Sequence, residues 1–481
     1  MTIHKLVARS ILGAVIGVLI AGCTGLREQA EPVEVPTTEA AAEAERPSES
    51  VLSVPETYEA ISLAVLAGDA ESAVAAYEQG QVENPDSEEQ RVLLANLYLI
   101  AGRDDDARSV LAAVLDKNPD NVDALYLLAL IEAARDNDAE QRNLLARILD
   151  IEPGNPRALA ALGEEQLREK EFEDAEVSFL QALETDPENL VARVGLGNVY
   201  LRTEAYDEAV DQFTEAIDLD PEYPFAYSDR ATAHALKDEM REAEADLDIA
   251  IELDPGYYWH YIDRGRVRMD RHLYDEAAED FSEAINLNSD QFLGFALRAR
   301  AYDANDHYDE ALADYQRTLE LRPDYYPAWP PIAVLYYMNG EYDQSRAFFQ
   351  REYERDSTRY DYALMAALSL ERLDEHDEAI DFLNGVVTQI PTNNLYYDVT
   401  RYYITTSIEA SVLAKVTDEE SNVLRGQLDF YMGARLELLG RVRTAQALFM
   451  EVESLLPKGY MELRLASWHM SAYRSSEEDE R

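Results

Sequence analysis

The sequence predicts an all-α fold, a solenoid of about eleven helix–turn–helix hairpins closed by a C-terminal capping helix. Three observations carry this reading. A proline recurs every 34 residues, at Pro85, Pro119, Pro153, Pro187, Pro221, Pro255, Pro323 and Pro391, with Ser289 and Ser357 on the same grid. Small residues stand twelve positions before that mark (Ala73, Ala107, Ala175, Ala209, Ala243, Ala277, Ala311, Ser345, Ala379) and large ones four positions later (Tyr77, Leu111, Phe179, Phe213, Leu247, Phe281, Tyr315, Phe349, Leu383). A second small column (Ala95, Gly163, Gly197, Ala231, Gly265, Ala299, Ala333) lies twenty-four positions before the mark. A fixed internal period means stacked units, each burying its apolar face against its neighbours.

Each column has a structural task. Spacings of three and four residues place the columns on helical faces. Small residues let two antiparallel helices approach, and the large ones fill the space beside them. The proline ends the second helix, because its ring cannot continue one. Turn residues such as Gly68, Gly102, Asp306 and Gly340 separate the two helices.

These columns resemble the tetratricopeptide repeat family. In GLGNVYLRTEAYDEAVDQFTEAIDLDP the matching residues are Gly197, Tyr200, Ala209, Phe213, Ala216 and Pro221. The resemblance implies a right-handed superhelical solenoid over residues 54–391, with a further copy at 426–457 (Gly433, Gly440, Ala445, Phe449, Pro457). Repeat 122–155 fits least well, with Glu132 and Gln141 where an aromatic and an alanine are usual.

The remaining segments follow in chain order. Residues 1–22 carry Lys5 and Arg9, then the apolar run ILGAVIGVLIAG, and read as a signal peptide too short for a permanent span. The ending Ile20-Ala21-Gly22-Cys23 resembles the bacterial lipobox, which implies lipid on Cys23, the single cysteine of the chain. Thr24, in place of an aspartate, favours an outer-membrane anchor facing the periplasm. Residues 23–53, rich in Glu, Pro, Ala and Ser, read as a disordered acidic tether. Residues 392–425 break the grid and read as an irregular insert of two longer helices, with a helix start at Thr417-Asp418-Glu419-Glu420. Residues 426–472 read as a C-terminal repeat and capping helix, and 473–481 as a disordered tail.

The chain has 96 acidic and 42 basic residues and a formal net charge of −54. Such a body repels phosphate backbones, which argues against nucleic-acid binding. The histidines show no zinc-helix spacing, and there is no phosphate loop or serine nucleophile elbow. Asp116, Asn118 and Asp120 alternate like a calcium loop, but lack its glycine and terminal glutamate. No catalytic, metal or cofactor site is expected. The expected partners are other envelope proteins or peptides, and the membrane through the N-terminal lipid.

In the resembled family the first helix of each unit lines a concave groove where peptides lie. Carried onto this chain, the groove positions include Phe225, Trp259, Ile262, Arg266, Arg300 and Tyr337, the expected partner-binding residues. Trp259 belongs to the aromatic stretch YYWHY at 257–261, whose Tyr261 is in register with Tyr227, Phe295 and Trp329 and reads as packing. The implied function is a lipid-anchored envelope scaffold or adaptor. The alternative is a ligand-handling accessory of a periplasmic transporter or secretion system, favoured by a buried apolar pocket. An enzyme would need a cleft with converging acids.

Two further expectations come from comparing the units. Pro327, Pro330 and Pro331 crowd the start of one first helix, which should begin near Trp329–Pro331. Arg230, Arg264 and Arg298 replace a normally apolar residue in three consecutive units. The same three units carry Asp246, Asp280 and Asp314 sixteen residues later. Arginine and aspartate arriving together imply an ion pair within or between hairpins.

Overall fold

The computed structural model describes residues 52–479, with side chains through Arg474. The signal segment, Cys23 and nearly all of the tether lie outside the described residues. The described chain is all-helical and divides into two units, Met1–Pro255 and Gly256–Arg481.

Unit 1 consists of hairpins: α1 Val54–Leu66 with α2 Ala70–Gln79, α3 Glu88–Ile100 with α4 Asp104–Leu115, α5 Val122–Ala134 with α6 Asp138–Ile151, α7 Pro156–Arg168 with α8 Phe172–Thr185, α9 Leu190–Arg202 with α10 Tyr206–Leu219, and α11 Pro224–Leu236 with α12 Met240–Leu253. Unit 2 continues with α13 Tyr258–Asp270 and α14 Tyr274–Leu287, α15 Phe292–Ala304 and α16 Tyr308–Leu321, α17 Trp329–Met338 and α18 Tyr342–Arg355, and α19 Tyr360–Arg372 and α20 His376–Val387. It ends with α21 Leu395–Ile404, α22 Glu409–Thr417, α23 Asn422–Leu438, α24 Val442–Leu455 and α25 Met461–Asp479.

The hairpin turn repeats with the sequence. Gly68, Gly102, Asp136, Lys170, Glu204, Asp238, His272, Asp306, Gly340 and Asp374 share one grid column and all have φ between 56° and 77°. A side chain in this left-handed region costs about 1 kcal/mol, which the stacked helices on either side offset. The second helices end alike. Asp186, Asp220 and Asp254, each before a proline, leave the helical region with φ between −137° and −133° and ψ between 77° and 89°. Asn288 precedes Ser289 and does the same at ψ 84°, so the turn holds without the proline.

The two small columns and the large one meet as their spacing predicts. A Cβ on Gly163, Gly197 or Gly265 would come within 2.7, 2.6 and 2.5 Å of the rings of Phe179, Phe213 and Phe281. Each phenylalanine is fully buried in the hairpin that carries its glycine.

The three arginines pair within their own hairpins. Arg230 donates to both carboxylate oxygens of Asp246, at 2.8 and 2.7 Å. Arg264 reaches Asp280 at 2.6 Å, and Arg298 reaches Asp314 at 2.7 and 2.8 Å. The spare nitrogens of Arg230 and Arg298 donate back to Thr214 and Ser282 on the preceding hairpin. Each arginine also lies over the aromatic three residues before it, Tyr227, Tyr261 or Phe295.

The least regular repeat replaces apolar packing with polar partners. Buried Glu132 accepts from Asn137 at 2.7 Å and pairs with Arg108 at 3.0 Å, and buried Gln141 accepts from Arg168 at 2.9 Å. The alternating Asp116, Asn118 and Asp120 form a turn, in which Asn118 accepts from the Asp120 amide and donates to Glu88.

Three expectations for unit 2 can be compared with the structure. The proline block behaves as expected: a 3-10 turn covers Tyr326–Ala328 and α17 starts at Trp329. The insert differs. Its helices are short, because Thr405 is extended (φ −144°, ψ 122°) and a 3-10 turn follows at Thr406–Ile408. The next helix starts at Asn422, five residues after Thr417, because the Ser421 hydroxyl caps the Leu424 amide. The last helix runs to Asp479, past the expected start of the tail, with no glycine or proline to stop it.

Candidate functional site

Among the expected groove residues, burial makes a sharp division. Phe225, Ile262 and Tyr337 are 5%, 1% and 0% exposed. They correct the sequence-based expectation, since side chains this deep offer a partner no surface. Tyr337 is enclosed because Trp468 and His469 of α25 pack on its ring, at centroid distances of 6.0 and 6.3 Å. Ile262 sits in the core with Phe281 and Leu297. Trp259 is half-buried against Tyr258, and Arg266 is exposed with Asp263 at 3.8 Å. Arg300 is exposed on a cleft.

That cleft lies wholly within unit 2 and has a volume of about 1220 Å³. One wall comes from first helices of the repeats: Met269 of α13, Arg300 and Asp303 of α15, and Pro330, Val334 and Met338 of α17. The opposite wall is α25, through Met461, Arg464 and Trp468. The chain's last helix therefore crosses the face that the earlier repeats of unit 2 present. Sequence reasoning expected a capping helix but not this return.

Polar contacts centred on Asp303, Glu437 and Glu462 hold α25 in place. Arg464 donates to both oxygens of Asp303, at 2.7 and 3.1 Å, across 161 residues of sequence. Burial pushes the Asp303 carboxyl up, against the charge of Arg464. Glu437 of α23 accepts from Tyr473 and pairs with His469 at 3.1 Å, while Arg372 donates to its other oxygen. Burial alone would raise the Glu437 carboxyl, but His469, Tyr473 and Arg372 hold it at about 2. Glu462, 1% exposed and raised by burial, accepts from Gln427 at 3.1 Å.

The cleft's charge departs from that of the chain. Its acids are Asp303, Asp306, Asp361 and Glu462, and its bases are Arg300, Arg359, Lys458 and Arg464. Four against four stands in a chain with 96 acids and 42 bases. Arg359 is paired with Asp361 at 2.6 Å and Arg464 with Asp303. Arg300 and Lys458 have no ion pair among the described residues. No group of acids and histidines among the described residues could hold a metal ion. No described helix is long and apolar enough to cross a membrane.

With this geometry in view, the comparisons identify the repeats. Residues 64–131 and 102–165 match one tetratricopeptide repeat model, and 160–224 and 296–360 match another. The matched segments are tetratricopeptide repeats. Such repeats generally serve as non-catalytic scaffolds that bind peptides or proteins. Similar solved structures include that of Pseudomonas aeruginosa pilF, at 20% identity and TM-score 0.39, over 42% of this chain and 92% of that one. A tetratricopeptide repeat protein from Parabacteroides merdae is similar at 20% identity and TM-score 0.39, over 51% and 97%. YrrB, described as having an unusual peptide-binding site, is 21% identical with TM-score 0.34, over 38% and 95%. A search of curated proteins found no match.

Proposed function

We propose that the protein is a lipid-anchored scaffold of the bacterial cell envelope, docking a segment of a partner protein in the cleft of unit 2. The observation that supports this most is the cleft itself: repeat helices on one side, α25 on the other, and unpaired Arg300 and Lys458 between apolar side chains. A partner segment gains burial from the half-buried Met338, Met461 and Trp468 and direction from the charges. The eight charged side chains of the lining speak against the apolar pocket that a ligand-handling accessory needs. Anchoring rests on the lipobox-like Ile20–Cys23, for which Cys23→Ser should release the protein from the membrane fraction.

A photo-crosslinking residue at position 300 tests the docking site in intact cells, with one at exposed Glu279 as the control. Position 300 should give discrete adducts that Met338→Glu, at a half-buried lining residue, abolishes. Equal adducts from both positions would contradict the reading.

A further inference from the structure

We propose that α25, the closing wall of the unit 2 cleft, is a proton-dependent latch, fastened at its start by Glu462 in the protonated form. The latch acts on the closing of the cleft, whatever the cleft holds.

Glu462 is the second residue of α25 and is 1% exposed, yet no cation pairs with it among the described residues. The charges around it are engaged elsewhere. At the start of α19, Arg359 holds Asp361 at 2.6 Å, and on α25 itself Arg464 holds Asp303 at 2.7 Å. Lys458, just before α25, lines the cleft without an ion pair among the described residues. The groups that α23 and α21 bring near Glu462 are the neutral Gln427, Tyr431 and Tyr396. An ionised carboxylate buried without a cation is costly.

The hydrogen bonds point the same way. The buried Tyr431 hydroxyl lies 3.2 Å from the Asp361 backbone oxygen and 3.2 Å from Glu462 Oε1. A hydroxyl has one proton, and a backbone oxygen can only accept. An ionised Glu462 would compete with the Asp361 oxygen for that proton. A protonated Glu462 donates to the Tyr431 oxygen instead, Tyr431 donates to Asp361, and Glu462 still accepts from Gln427 at 3.1 Å. The chain of hydrogen bonds from α25 to α19 is then complete. Burial also raises this carboxyl above the ordinary glutamate range, with the Asp361 charge adding to it, against its own backbone amide and Gln427.

With α25 undocked, Glu462 returns to the value of an exposed glutamate, about 4.3. Its value in the closed state lies above that. Closure is therefore fully supported below about pH 4.3 and weakens about tenfold per pH unit between the two values. This support is gone once the pH has risen through the closed value.

Hydrogen exchange of the full-length protein, corrected for the intrinsic rate at each pH, reads the latch. Protection of residues 461–471 should fall about threefold or more from pH 5 to pH 8. Glu462→Gln, a neutral isostere of the protonated form, should erase most of that fall by keeping its protection at pH 8. The Asp303–Arg464 and Glu437–His469 contacts remain in both proteins, so the difference isolates one carboxyl. Asp361→Asn removes the neighbouring charge and should move the fall to lower pH, a second reading should Glu462→Gln fail to fold. Asp429→Asn controls for the other raised carboxyl of this region and should leave the fall in place. A fall that is absent in the wild type, persists in Glu462→Gln, stays in place in Asp361→Asn or vanishes in Asp429→Asn overturns the latch.

Discussion

Unit 1 and unit 2 are built from the same hairpin but close differently. In unit 1 the turn at the left-handed residue recurs from repeat to repeat, and glycine–phenylalanine contacts join helices of one hairpin (Gly163–Phe179, Gly197–Phe213) or of adjacent hairpins (Gly195–Phe179). Unit 2 begins the same way, then brings α25 back to Asp303, 161 residues upstream. Its C-terminal part also holds a large continuous core with buried Tyr337, Tyr402, Tyr403 and Tyr431. A stack of neighbours gives a repeated surface. A chain end folded across such a surface gives a cleft with two walls, where a ligand can be enclosed.

The contacts that unit 2 shares with unit 1 should matter most to stability. Asp314→Ala strands the mostly buried Arg298 and should cost about 3 kcal/mol by denaturant unfolding. Adding Arg298→Leu should recover most of it, since other repeats carry an apolar residue there. A smaller loss is expected in unit 1 from Gly195→Ala, whose Cβ would stand 2.3 Å from the Phe179 ring; overpacking of this kind costs about 1–3 kcal/mol. The contact that unit 1 lacks should be weaker still. Arg464→Ala should cost about 1 kcal/mol, because this pair is partly solvated, and should speed amide exchange in α25 without affecting α1–α12. If exchange changes equally in both units, the return of α25 is not a separate closure.

The smallest expected effect is on pH dependence. Burial pushes the Asp429 carboxyl in α23 up to about 6, despite Arg425 nearby. A folded value above the unfolded one near 4 gives stability that is present in acid and lost as pH rises through about 6. The unfolding midpoint should therefore rise slightly between pH 7 and pH 5, and Asp429→Asn should flatten that slope.

The repeated features were legible because a period writes the same contact many times. The hairpins, the place of their turns, the Arg–Asp pairs and the late start at Trp329 all appear as columns or as breaks in them. The return of α25 occurs once, so no column marks Arg464 and Asp303 as partners. That single event also buries Tyr337, which its repeat position had suggested for the groove. Phe225 and Ile262 were misplaced for another reason: repeat position does not fix burial, and here Ile262 packs with Phe281 and Leu297 and Phe225 against Tyr223, while Trp259, one repeat after Phe225, stays half-buried. Thr405 and Ser421 set the insert's helix ends through local caps and extended backbone, which a broken grid does not register.

Hydrogen exchange of the full-length protein, with and without the partner segment recovered by crosslinking at position 300, tests the two-walled cleft most directly. Binding should protect both walls together, residues 300–315 and 461–471, and leave α1–α12 unchanged. Protection confined to unit 1, or to one wall of the cleft, would contradict it.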